Sequence, residues 1–291
     1  MTGHRLSRRG IEGLRHRLSD RDMAILDQVA DLRLMSALQI EALHFTDADH
    51  RSQLAAARAC RRVLERLVRD RLLVRLDRRI GGVRAGSASF IYGLGHIGQR
   101  VLALEGPRRR FQEPSVLFTD HTLAISQLVV DLSKADRAGQ FEVLDVQSEP
   151  RCWREMGSSN GRSTLRPDLY TVLGTPEYEY RWFIEVDRGS EHLPTLLAKC
   201  QAYEDYFRTG AEQRTQGVFP RVCWIVPTDS RAEQLVGKIE KANGLTAAMF
   251  EVTTPERAIA TLSGLAPQES TQSSVGGPFD DEAVSEAGGS R

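Results

Sequence analysis

Asp168, Glu185 and Asp187 stand apart from their surroundings in RPDLYTVLGTPEYEYRWFIEVDRG, residues 166–189. The stretch reads as two strands rich in aromatic and branched residues, joined by the turn TPEYE. Side chains alternate along a strand, so Tyr180, Trp182, Ile184 and Val186 take one face, directed to the core, while Arg181, Phe183, Glu185 and Asp187 take the other. Asp168 shares a face with Tyr170 and Val172, and pairing the strands as a hairpin brings it near Glu185 and Asp187. Three carboxylates on one sheet face repel each other unless a divalent cation or bases compensate. Hard oxygen donors suit Mg2+ or Mn2+, which makes Asp168, Glu185 and Asp187 the expected metal ligands. Such an ion would orient and activate water for attack on a phosphodiester and stabilise the charge that develops. Each residue also has a plainer reading. Asp168 could be an ordinary turn residue, and Glu185 and Asp187 could face solvent on an edge strand. His121 and His192 lie near helix starts and read as capping or surface residues.

The elements that must position these acids follow from the hydrophobic pattern. EGPRRRFQEPS, residues 105–115, is a Pro/Arg-rich stretch, and we place a linker at 106–116. Beyond it, a unit over 117–263 reads as α-β-β-β-α-β-α-β. It comprises HTLAISQLVVDLSKAD as a helix, FEVLDVQSE and the two acid-bearing segments as strands, EHLPTLLAKCQAYEDYFRTG as a helix, RVCWIVPT as an apolar strand, then a helix and a last strand. This order implies a mixed sheet flanked by helices. Lys199 sits on the helix after the acid-bearing strand, one turn before Tyr203 and beside the apolar stripe. It is either a surface lysine or a cation that reaches the acids, whereas Arg188 is expected to point to the wrong face.

The unit before the linker, residues 20–105, carries the positive charge. The whole chain is neutral, with 39 basic and 39 acidic residues, yet between Arg51 and Arg84 there are eleven arginines against Glu65, Asp70 and Asp77. SDRDMAILDQVADLRL and SALQIEALHF read as two helices, the second with Leu38, Ile40 and Leu43 in the core. A third, from about Gln53 to Arg71, buries Ala56, Cys60, Val63, Leu64, Leu67 and Val68. Its other side shows Arg58, Arg61, Arg62, Arg66 and Arg69. LLVRLDRRIGGVRAGSASFIYGLG then reads as two strands around a Gly-Gly turn, with Arg78, Arg79 and Arg84 at its tip. Helix, short helix, basic helix and basic hairpin make a winged helix-turn-helix, in which the third helix enters the major groove of double-stranded DNA and the hairpin is the wing. Many phosphate contacts would make binding steeply salt-dependent. Such proteins often bind two half-sites as dimers, hence a homodimer is expected.

YGLGHIGQRVL matches G-x-G-x-x-G through Gly93, Gly95 and Gly98, but no second parallel strand follows; we read a turn into a closing helix and expect no nucleotide cofactor. Cys60, Cys152, Cys200 and Cys223 are too scattered for zinc or a disulfide framework. Residues 1–19 read as a basic arm without an apolar stretch, and no run approaches the ~18 residues of a membrane span, which leads us to expect a cytoplasmic protein without membrane partners. Residues 264–291 are low in apolar content and rich in acids, a composition expected of a disordered acidic tail.

RPD followed by an E-x-acid strand in an αβββαβ order resembles the PD-(D/E)XK nuclease fold of restriction endonucleases and recombination nucleases. The chain as a whole, over most of residues 20–260, resembles the replication-relaxation family of actinobacterial plasmids and integrated mobile elements. The resemblance implies a two-domain α/β (α+β) architecture: a winged helix-turn-helix, then a PD-(D/E)XK-like mixed sheet flanked by helices. It assigns Asp168 as the first motif acid and Glu185 as the second, with Glu149 an additional acid near the same edge. The motif wants lysine at position 187, where this chain has aspartate. Gln201 is followed four residues later by Asp205, so the Q-x-x-x-Y motif of the recombination nucleases is not matched. Two functions stay open. Either the domain is a degenerate platform in a DNA-binding protein of plasmid replication, transfer or regulation, or it is a Mg2+-dependent endonuclease or nickase with Asp168, Glu185, Asp187 and Lys199 as catalytic residues.

Overall fold

A computed structural model of the chain describes residues 7–46, 52–76, 89–102, 115–158 and 161–264. The expected wing tip with Arg78, Arg79 and Arg84, most of the linker and the acidic tail from 265 onward lie outside these residues. Residues 1–19, expected as an arm, contain a helix, α1 (Arg8–Arg15), capped by the Ser7 hydroxyl and burying Ile11 and Leu14. Next come α2 (Asp20–Leu32), β1 (Leu34–Ser36), α3 (Ala37–His44), α4 (Gln53–Arg69), β2 (Leu73–Leu76), β3 (Ile91–Leu94) and α5 (His96–Val101). Reciprocal capping boxes start α2 at Ser19/Asp22 and α3 at Ser36/Gln39. The second box sets the phase of α3. It turns Gln39 inward, where its amide donates to Leu123 O (2.9 Å), and leaves Leu38, expected in the core, 61% exposed.

Strands β2 and β3 pair antiparallel as the hairpin pattern predicts, but β1 joins as a third strand on the far side of β3. The glycine pattern is explained by close packing. A Cβ on Gly95 would lie 2.4 Å from Arg71 O, and one on Gly98 would lie 2.3 Å from Leu72 O. Only glycine lets α5 sit this close to the turn before β2.

The second half starts with α6 (Val116–Arg137) and continues through β4 (Glu142–Ser148), β5 (Arg154–Ser158), β6 (Gly161–Leu165), β7 (Leu169–Gly174), β8 (Glu179–Val186), α7 (Leu193–Thr209), α8 (Ala211–Gln216), β9 (Arg221–Ile225), α9 (Asp229–Lys241), β10 (Phe250–Thr253) and α10 (Ala258–Ser263). The sheet order is β10-β9-β8-β7-β4, parallel from β8 to β10 and antiparallel from β8 to β4. The β5–β6 hairpin, absent from the sequence reading, forms a separate two-stranded sheet.

Both faces of the main sheet are covered. Leu169, Leu173, Trp182, Ile184 and Val186 pack in one core with α6 and α10, while Tyr170, Val172, Phe183, Val222 and Trp224 pack in another with α7 and α9. The face that carries Glu185 is therefore interior, and not the solvated side of an edge strand.

Helix α6 belongs to both halves, because one apolar core runs from α2 and α4 through α6 to β7 and β8. Polar contacts reinforce the seam. Ser126 donates to Leu34 O (2.7 Å), Arg137 to Ala42 O (2.8 Å) and Ser148 to Asp31 O (2.8 Å). No helix among the described residues is long and apolar enough to cross a membrane.

Candidate functional site

The register Leu169↔Ile184 sets Asp168, just before β7, against the end of β8, and its backbone N–H donates to Ile184 O (3.1 Å). Its carboxylate accepts the Val186 N–H on Oδ2 (2.8 Å) and lies 3.2 Å from His121 Nε2 on Oδ1. Glu185 is 1% exposed. Its Oε1 accepts from the Tyr203 hydroxyl (2.6 Å) and its Oε2 from Lys199 Nζ (2.5 Å). Lys199 and Tyr203 are four apart on α7, so both point at the same acid from successive turns. Lys199 thus points inward to Glu185 rather than lying on the surface as a free lysine.

These charges tune one another. Burial, then the neighbouring Asp168, pushes the Glu185 carboxyl up to about 8, against the opposing pull of Lys199 and Tyr203. Burial also pushes Asp168 up, but the His121 hydrogen bond, the Lys199 charge and the Val186 N–H outweigh it and hold Asp168 below its ordinary value. Burial alone would lower Lys199, yet Glu185 and Asp168 hold it above the ordinary lysine range. The bond to Asp168 raises His121. Two buried acids and two half-buried bases thus form one mutually compensated group, with His121 at its mouth. That mouth opens into a surface cavity of about 280 Å³ bordered by Phe118, His121, Arg188 and Ser190.

Asp187 does not join this group. It follows the last residue of β8, and Arg231 on the first turn of α9 donates to its Oδ2, while Gly189 N–H donates to Oδ1 (2.8 Å). Among the described residues no group of three or more His, Cys, Asp or Glu side chains is gathered to hold a metal ion, so the expected ligand set Asp168, Glu185 and Asp187 is not assembled. Glu149 pairs with Arg33 (3.2 Å) and accepts from Trp153 (3.2 Å). His192 is the N-cap residue of α7 but makes no side-chain cap bond. Sequence reasoning treated His121 as a cap or surface residue and Tyr203 only as a landmark. Tyr203 carried a signal, its four-residue spacing from Lys199, whereas His121 carried none.

On α4, Arg58, Arg61, Arg62 and Arg69 are exposed opposite buried Ala56, Cys60, Leu64 and Leu67. Arg66 differs, because its Nη2 is bound to buried Asp22 of the α2 capping box at 2.6 Å.

An arginine-faced helical half fused through α6 to a mixed sheet with a buried acid–lysine site defines a two-part α/β protein. Residues 26–222 match the model of the replication-relaxation family, and the chain belongs to that family. No curated protein and no solved structure matches it.

Proposed function

We propose that this protein binds double-stranded DNA of a plasmid or mobile element through a winged helix-turn-helix in its N-terminal half, and nicks it at a PD-(D/E)XK-type site in its C-terminal half. Membership of the replication-relaxation family supports a role in plasmid or mobile-element replication. The observation that carries the catalytic reading is Lys199 Nζ at 2.5 Å from Glu185, beside Asp168. This supplies the motif's cation from α7.

Mg2+ or Mn2+ fits the oxygen donors present, since Mg2+ commonly takes one or two carboxylates and completes its shell with water and substrate phosphate. Asp168 and Glu185 would hold the ion, which would supply Lewis-acid activation of water and charge neutralisation at the phosphodiester. Tyr203 fixes the orientation of Glu185 through its hydroxyl. Lys199 brings a permanent positive charge to the place where negative charge grows on the phosphate. His121 holds one oxygen of Asp168 and controls entry from the cavity. On α4, Arg58, Arg61, Arg62 and Arg69 supply phosphate contacts in the major groove.

A second reading, a degenerate domain that serves as a platform, draws support from the capture of Asp187 by Arg231. Incubation with supercoiled plasmid and Mg2+ or Mn2+ separates the two. Nicking by the wild type that Asp168→Ala, Glu185→Ala and Lys199→Met each abolish supports the enzyme. Full DNA binding with no nicking in either metal leaves the platform.

A further inference from the structure

A second cavity lies beside the acid site, and the residues between the two suggest what it holds. It encloses about 300 Å³ between α6, the ends of β8 and β9, and the start of α10. This volume stands at the small end of ligand sites. Its walls are apolar, from Leu123, Ala124, Leu128, Val186 and Ile225. One edge is polar: Gln127 Nε2 donates to Asp131 Oδ1 at 2.9 Å. The other Asp131 oxygen has no partner among the described residues.

The cavity adjoins the entrance to the acid site in two places. Val186 forms part of its wall, and the same residue's backbone N–H holds Asp168 Oδ2 at 2.8 Å. Asp120 and Arg188 line both this cavity and the one at His121. The solvent-exposed Arg188 therefore stands on the ridge between an apolar slot and the acid–lysine group.

We propose that this slot receives one unpaired base of a DNA strand, with Arg188 on the phosphate next to it and the neighbouring phosphodiester directed toward Asp168 and Glu185. The inference rests on DNA being the substrate and names its form: a strand locally melted or single at the site. A flat, largely apolar heterocycle suits the walls, and a cation suits the phosphate that follows it. The Asp131 oxygen not held by Gln127 is placed to accept from an exocyclic amine, as carboxylates do from cytosine N4, so cytosine or adenine fits better than thymine. A base within an intact duplex cannot reach such a recess and must leave the stack.

The test uses the full chain in EDTA, so that binding is read without cleavage. Fluorescein-labelled single-stranded oligonucleotides are measured by anisotropy, with an abasic site walked one nucleotide at a time. One position should lose affinity about tenfold, the scale of a single sequestered base, while its neighbours change little. Ala124→Phe, which fills the slot, should bind intact DNA as weakly as the wild type binds that abasic strand, and should ignore the abasic site. Exposed Arg188→Ala carries little folding risk; it should weaken all strands alike and lower the salt slope by about one. Equal affinity at every abasic position, sensitivity that survives Ala124→Phe, or no binding of single strands overturns the proposal. Duplex binding through α4 and plasmid nicking are separate arms. Abasic-sensitive binding without nicking would sink the catalytic reading and leave the slot standing. Nicking without abasic sensitivity would do the reverse.

Discussion

Replacing Arg66 with alanine separates an arginine that holds the fold from those proposed to meet DNA. Arg66 and its neighbours look equivalent in the sequence, but Arg66 Nη2 sits 2.6 Å from Asp22 Oδ1, and the Asp22 side chain is 3% exposed. Breaking a fully buried pair by removing one partner costs about 3–5 kcal/mol. Two features reduce that here: the Arg66 side chain is 34% exposed, and Asp22 keeps the Ser19 N–H on its other oxygen (3.0 Å). We therefore expect Arg66→Ala to destabilise by about 1–2 kcal/mol, read as a lower urea midpoint at unchanged slope. The double substitution with Asp22→Asn should recover part of the loss, because no buried charge is then stranded. Arg61→Ala with Arg62→Ala should stay within about 0.5 kcal/mol of wild-type stability. The same pair should weaken duplex DNA binding and reduce the slope of log affinity against log salt by about two. A fully stable Arg66→Ala that loses DNA affinity as Arg62→Ala does would refute the structural role given to the Asp22 pair.

Other positions give shorter tests. Gly98→Ala should cost about 1–3 kcal/mol, since its Cβ would meet Leu72 O at 2.3 Å and the clash exceeds the gain in helix propensity; an unchanged melting temperature would contradict the packing explanation. Burial first, then Arg21 and Arg137, lowers the His44 imidazole to about 4 from an ordinary 6.5. The unfolded chain thus binds the extra proton between these values, and this contribution is fully present above about pH 6.5 and fades as pH falls toward 4. Allowing for its partial exposure, His44→Gln should flatten the stability profile across that window by about 1–2 kcal/mol, and parallel profiles would rule this out. Tyr203→Phe removes the hydroxyl that holds Glu185 Oε1, so nicking should fall while duplex binding stays unchanged; unaltered nicking would exclude a positioning role.

The sequence was most legible where partners are close along the chain. Apolar spacing located α2, α4, α6 and α7, and period-two alternation placed Glu185 opposite Asp168 across the β7–β8 pair. What it could not supply were the partners chosen by folding. Asp168 meets His121 from 47 residues away, and Asp187 is held by Arg231 from 44 residues away. Alternation carries Asp187 to the Glu185 face only while the strand continues, and β8 ends at Val186. The three-residue β1 lies between two helices and is too short to show a period. The β5–β6 hairpin, REMGS and GRSTL, is mostly polar and carries no Val, Ile or aromatic residue to mark it as strand. Leu38 was misplaced because a capping box, rather than hydrophobicity, decides which residue of a short helix turns inward.

Helix α6 has a metric consequence. It carries His121 near one end, and near the other Arg137, which is tied to the last turn of α3. The two are sixteen positions apart along the helix, roughly 24 Å, or about seven base pairs of B-DNA. Under the proposed function, a duplex seated on the helical half and a strand entering the acid site are separated by a stiff spacer. The cut would therefore fall at a set number of nucleotides from the bound sequence. Changing that number would require a longer or shorter α6, whatever the bases around the nick.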